Sequence, residues 1–315
     1  MKTSTKIITA CAAAGTLAAA IAAGEVFLTV GMRRGTNITR VSKKNKTSTP
    51  DKPLVDRFDN RKEWVYEHIP KDVTKMSYDG LTLHSLLIEN PGHTNKFVII
   101  CHGYTGHSDE MGFYAEKFYD RGYSCLLPSA RGHDKSEGKY MTMGWPERKD
   151  ICGWIYYLNR KYDNPEIILY GVSMGAAAVM MTAGEPLPSN VKCGIEDCGY
   201  SSIKEEFAYV LKNMLKIPVQ PLLFCGCVVA FFHTGINFRK DGITTRQLEK
   251  SALPMLFIHG TEDKFVPPYM LDKCYAAHRG PKEFLMVEGA RHASAAFTGG
   301  DKYWDKVFNF TKKYV

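Results

Sequence analysis

The 315 residues, 44% hydrophobic and 23% charged, have the make-up of a globular chain long enough to bury a large core. That excludes a disordered tail protein, a collagen-like fibre and a small disulfide scaffold. The formal charge of +8 is concentrated: residues 1–52 hold nine Lys/Arg against Glu25 and Asp51, whereas the other 263 hold 32 basic and 31 acidic residues. A nearly neutral body offers no basic face for nucleic acid, and the surplus suits anionic lipid headgroups beside the N-terminal segment.

That segment opens the chain. Ile7–Gly24 is an uncharged run; Glu25 interrupts it, and Val26–Met32 continues it to the pair Arg33-Arg34. About 20 apolar residues cross a bilayer, so residues 1–32 are read as a single membrane anchor. The competing reading is a cleaved signal peptide, with Ala20-Ile21-Ala22 as its small-x-small site and a secreted product. Residues 33–60, with Arg40, Lys43, Lys44 and Lys46 among Ser, Thr and Asn, read as a basic polar linker. The side of the membrane stays open. Basic residues after the span argue for a cytoplasmic body, whereas a short basic start argues for an exported one.

Residues 61–315 read as one body. Val73–Tyr78 and Leu81–Ile88, split by Asp79-Gly80, form a hairpin pattern. Lys96–Cys101 is an apolar run of the kind buried on both sheet faces, and Asp109–Arg121 has helical spacing up to Gly122. Strands at Tyr123–Pro128, Glu166–Tyr170, Val191–Cys198, Pro254–His259 and Glu283–Val287 alternate with helices at Trp145–Tyr162, Ala176–Ala183, Pro267–His278 and Asp301–Tyr314. Such alternation predicts an α/β fold with a mostly parallel sheet flanked by helices. Residues 201–250 break the rhythm with large apolar side chains and no clear strand, which reads as a helical lid insertion. Nine cysteines occur without a C-x-x-C pair; they are read as reduced thiols, and no metal site or cofactor is expected.

The strongest motif is Gly171-Val172-Ser173-Met174-Gly175, which follows the strand EIILY and opens the helix AAAVMMTAG. A nucleophile elbow needs that strand-turn-helix context, and Gly171 and Gly175 relieve the crowding of a sharp turn. A serine nucleophile needs a base held by an acid, here in the chain order Ser, Asp/Glu, His. Asp263 follows the strand ending at His259, and His292 follows the last strand. Asp197, at the end of the strand before the insertion, is the rival acid, with Glu262 and Asp272 weaker. His259 and His278 project less well than His292. The backbone N–H groups of Met174 and of Tyr104, in His102-Gly103-Tyr104-Thr105-Gly106, are the expected oxyanion donors. His102, His107 and His133 could alternatively be read as metal ligands, but no spacing supports it.

The set H-G-Y-T-G, R-G-H-D-K-S-E-G (Arg131–Gly138), G-V-S-M-G, H-G-T-E-D-K-F-V-P (His259–Pro267) and G-A-R-H resembles the α/β-hydrolase superfamily. Within it, the chain is similar to bacterial membrane-associated hydrolases of the serine aminopeptidase and monoacylglycerol-lipase-like branch. The resemblance runs from about Tyr66 to the C-terminus. It implies Ser173, Asp263 and His292 as the triad and Tyr104 and Met174 at the oxyanion hole. Asp134 stands where relatives usually carry Gly. The leading expectation is a serine hydrolase cleaving carboxylic, especially acyl, esters of small molecules. An aminopeptidase-like amidase is the alternative; it needs an acid for the substrate amine, with Glu205/Glu206 ahead of Asp241 and Glu249. A non-catalytic binding module on the same scaffold is the third reading.

Overall fold

A computed structural model of the chain describes residues 2–36, 61–92 and 95–315. Its frame is an eight-stranded sheet in the order β1-β2-β4-β3-β5-β6-β7-β8. Strands β1 (Lys71–Met76) and β2 (Thr82–Ile88) pair antiparallel, as the Asp-Gly turn predicts, with Ser77 N–H donating to the Leu81 carbonyl at 2.8 Å. Gly80 has φ +87° in that turn, a conformation that favours glycine. Strand β2 also pairs antiparallel with β4 (Ser124–Pro128), and from there the sheet is parallel through β3 (Lys96–Cys101), β5 (Glu166–Val172), β6 (Val191–Asp197), β7 (Met255–Gly260) and β8 (Lys282–Val287). The apolar runs of β3, β4, β5 and β7 are buried on both faces because helices cover each side.

On one face α2 (Gly112–Tyr119) and α9 (Ala295–Thr311) bring Tyr114, Phe118, Trp304 and Phe308 onto the sheet. On the other, α3 (Glu147–Tyr162) and α8 (Tyr269–Ala277) contribute Trp154, Leu158 and Leu271. Two elements differ from the sequence reading. Asp109–Arg121 divides into a 3-10 turn, Ser108–Met111, and α2. The division falls at Gly112, where a Cβ would lie 2.3 Å from the carbonyl oxygen of Arg61. The last helix starts at Ala295, six residues early, and kinks at Gly300, where φ is +50°.

Between β6 and β7 lie α5 (Ile203–Tyr209), a π turn over Val210–Met214, α6 (Leu222–Thr234) and α7 (Thr244–Leu248). Helix α6 packs along α1 (Lys2–Met32), whose Gly15–Met32 portion is long and apolar enough to cross a membrane. The crossing is close because each helix sets a glycine against the other: Gly24 against Val229 and Cys225, and Gly226 against Phe27. A Cβ on Gly24 would lie 2.4 Å from Val229 Cγ2, and one on Gly226 would lie 2.3 Å from the Phe27 ring. Phe27 also meets Phe207 edge-on at 5.0 Å. Glu25, facing His233 at 2.8 Å, is the charge that interrupts the apolar run. Phe27, Leu28 and Met32 are buried in one cluster with Met143, Met174, Tyr200 and Phe207.

Beyond the helix, Arg33 bridges to Tyr140, and Arg34 donates to the carbonyls of Asp134 and Ser136. Two residues of the expected basic linker are therefore fixed to the body. Residues 37–60 of that segment lie outside the described residues. The eight cysteines with described side chains are free thiols.

Candidate active site

The end of β5 turns sharply into α4 (Met174–Ala183) at Ser173, whose φ of +57° and ψ of −116° lie outside the usual regions for an L-residue. Both flanking glycines are required there. A Cβ on Gly171 would lie 2.3 Å from the Gly175 carbonyl oxygen, and one on Gly175 would lie 2.1 Å from that of Cys101. Ser173 N–H donates to the Asp197 carbonyl at 2.8 Å, pinning the turn to the end of β6. The serine is 5% exposed.

Ser173 Oγ lies 2.8 Å from His292 Nε2, and His292 Nδ1 lies 2.7 Å from Asp263 Oδ2. The other oxygen, Asp263 Oδ1, accepts the N–H groups of Phe265 and Val266 at 2.9 Å each. Burial opposes charge on Asp263. The neighbouring His292 and His259 outweigh it, and the carboxyl sits at about 2. An ionised Asp263 accepts Nδ1–H, which leaves Nε2 free to accept the serine proton. The Phe265 ring, 4.9 Å from the imidazole, covers one side of His292.

The rival acid points elsewhere. Asp197 Oδ2 accepts from Tyr303 Oη at 2.8 Å, and burial pushes its carboxyl up to about 6. His259 lies behind Asp263, with Nε2 at 2.9 Å from the Val266 carbonyl and 3.3 Å from Asp263 Oδ2. His278 is buried away from the serine against Phe257. Cys198, Asp263 and His292 offer donor atoms within 4.8 Å of one another, but both imidazole nitrogens are already engaged by Ser173 and Asp263.

The Gly103-Tyr104 loop faces the serine: a Cβ on Gly103 would stand 3.4 Å from Ser173 Cβ. Two histidines brace this loop, a role that sequence reasoning missed. His102 Nε2 accepts Ala130 N–H at 3.0 Å, so Nδ1–H donates to the Gly103 carbonyl at 2.8 Å. His133 Nε2 accepts Thr105 N–H at 3.2 Å, and its Nδ1 donates to the Arg131 carbonyl at 3.0 Å. Burial, helped by His133, lowers His102 to about 4, and burial also lowers His133. Both rings are thus neutral braces rather than ligands. His107 pairs with Asp134, which also accepts Ser108 N–H at 2.9 Å and Ser129 Oγ–H at 3.1 Å. Asp134 has φ +43°, a left-handed backbone conformation that favours glycine. In the same segment, Arg131 is buried between Asp150 and Asp79, at 2.7 Å from each.

Tyr104, Met143, Ser173, Met174, Tyr200, Glu206, Phe207, Val210 and Phe265 line an enclosed cavity of about 20 Å³. The N-terminal helix reaches its rim, because Tyr104 Oη donates to the Gly31 carbonyl at 3.0 Å. Of the expected amine-binding pair, Glu205 is spent on Lys273 and Ser201, while Glu206 faces inward.

Residues 96–224 match the family described as alpha/beta hydrolase fold. The uncharacterized protein YqkD of Bacillus subtilis is 29% identical over 70% of this chain and 72% of its own. Among solved structures, the Pyrococcus furiosus esterase Pf2001 superposes with a TM-score of 0.63 at 24% identity, covering 78% of this chain and 92% of the esterase. The acylaminoacyl peptidase of Pyrococcus horikoshii gives 0.60 at 17%, over 78% and 41%. Sheet order, strand-turn-helix at Ser173 and these matches agree: the chain has the α/β-hydrolase fold.

Proposed function

We propose that the protein is a serine hydrolase that cleaves carboxylic esters, acyl esters foremost, through Ser173, His292 and Asp263. The observation that carries this reading is the unbroken relay from Ser173 Oγ through the imidazole to Asp263, at 2.8 and 2.7 Å. In the proposed reaction His292 Nε2 takes the serine proton as Oγ attacks the ester carbonyl carbon. The N–H groups of Met174 and Tyr104 stabilise the resulting oxyanion. The imidazolium then protonates the leaving alcohol, giving an acyl-serine. Water, activated by the same nitrogen, attacks the acyl-serine and releases the acid. Asp263, ionised at neutral pH, holds the imidazole tautomer and stabilises its charged form.

An apolar cavity wall of Met143, Phe207, Val210 and Phe265 favours an acyl group. Room for about one water is too little for a substrate, so α5 and the π turn must move outward to admit one. The outer faces of α1 and α6 expose Leu17, Ile21, Val26, Phe224, Val228, Phe231 and Phe232, the last 81% exposed. Continuous with a helix long enough to span, that surface supports membrane attachment with lid helix α6 at the lipid boundary. The test is hydrolysis of p-nitrophenyl butyrate by the full chain in detergent. Ser173→Ala should lower kcat by ~10⁶, and retained turnover would remove the proposed chemistry.

A further inference from the structure

Glu206 is 2% exposed, on the inner face of α5, and lines the cavity that holds Ser173. Neither of its carboxyl oxygens has a hydrogen-bond partner among the described residues. The other polar side chains of the lining are occupied: Tyr104 Oη by the Gly31 carbonyl, Tyr200 Oη by the Met143 carbonyl, Ser173 by His292. Among the described residues, no Lys or Arg lines the cavity. A buried acid left unpaired is costly to the fold, and Leu or Met would fill the space at no such cost. What singles out Glu206 is its place in the cavity with Ser173, where a bound substrate would supply the missing partner.

The chemistry of its partner follows from the surroundings. Burial, with Asp263 and Glu205 nearby, raises the Glu206 carboxyl well above the usual range. A neutral carboxyl offers one O–H donor and one carbonyl acceptor, and a hydroxyl is its complement. An ammonium carries three donors and would have to shed its water in an apolar cavity with a single partner, an exchange that seldom breaks even.

We infer that Glu206 is a substrate-recognition group and that the favoured ester carries a free, uncharged hydroxyl close to its scissile carbonyl. This rests on the proposed serine-esterase reading and narrows it to hydroxylated esters.

The test compares kcat/KM for matched esters with the full chain in detergent: propyl butyrate, 2-hydroxyethyl butyrate, 2-aminoethyl butyrate and propyl 3-hydroxybutyrate. The wild type should favour one of the hydroxylated esters over propyl butyrate by about tenfold or more, since a site built for a hydroxyl discriminates against its absence. In Glu206→Met that ratio should fall to about one, while Glu206→Gln, which keeps a donor and an acceptor, should retain part of it. Glu206→Met should also melt at a higher temperature, which separates recognition from a folding role. The inference is overturned if the wild type shows no hydroxyl preference, or if Glu206→Met keeps it. It is equally overturned if all four esters lose the same factor, or if the ammonium ester is the one that Glu206 favours. Turnover that survives Ser173→Ala would instead overturn the esterase reading beneath it.

Discussion

Replacing Gly24 with leucine should loosen the N-terminal helix from the catalytic body. The added Cβ would lie 2.4 Å from Val229 Cγ2 and 2.7 Å from the Cys225 carbonyl oxygen, and the latter is helix backbone that cannot step aside. Overpacking of this kind costs ~1–3 kcal/mol. Against it stands the burial of Phe27, Leu28 and Met32, at ~1.5–3 kcal/mol each, or about 5–9 kcal/mol in all. The helix therefore stays docked most of the time, but its opening equilibrium shifts by ~2 kcal/mol, about 30-fold.

Hydrogen exchange reads that opening directly. Met141 N–H donates to the Met32 carbonyl at 2.7 Å, and Arg34 N–H to the Lys139 carbonyl at 2.9 Å. The Met141 and Arg34 amides should exchange about 30-fold faster in Gly24→Leu. Gly15→Leu is the control on the same helix, since a Cβ there meets nothing within 4 Å. Equal exchange in the two variants would refute the docked arrangement. Because Tyr104 is tied to Gly31, Gly24→Leu should also lower ester turnover.

Two further outcomes are expected. Asp263→Asn should reduce kcat by ~10⁴ by presenting the wrong imidazole tautomer, whereas Asp197→Asn should stay within about tenfold, because Asp197 bonds Tyr303 rather than His292; comparable losses would move the acid role away from Asp263. Burial pushes the Glu196 carboxyl up to about 8, so between about pH 4.3, where an unfolded chain releases that proton, and pH 8 the native state binds the extra proton. Stability should therefore fall as pH rises through that window, by on the order of a few kcal/mol. Urea midpoints at pH 5 and pH 8 should lie closer together in Glu196→Gln than in the wild type; an unchanged separation would contradict the assignment.

The parts of the site set by local chemistry were legible in the sequence. A strand, a serine between two glycines and an Ala-rich helix demand the turn that Ser173 adopts. Asp263 and His292 follow strands of a parallel sheet, whose C-terminal ends meet at one edge. Contacts between distant segments were not legible. The Ala-rich N-terminal helix has no apolar stripe to mark its buried face, so its crossing with α6, through Gly24 and Gly226, could not be anticipated. His102 and His133 offered in sequence only an unsupported metal-ligand reading; their bracing role depends on Ala130 and Thr105 N–H groups that the fold brings to their Nε2 atoms. Glu205 and Glu206, adjacent in sequence, lie about 100° apart around a helix. Only packing decides which of them meets Lys273 and which enters the cavity.

The central claim is that Ser173 is an activated nucleophile. Incubating the detergent-solubilised full chain with a fluorophosphonate probe and mapping the adduct by mass spectrometry tests it directly. A single phosphonylated residue, Ser173, with labelling abolished in Ser173→Ala and strongly slowed in His292→Ala, is the predicted result. No adduct on the folded wild type, or an adduct at another serine that persists in Ser173→Ala, would contradict it.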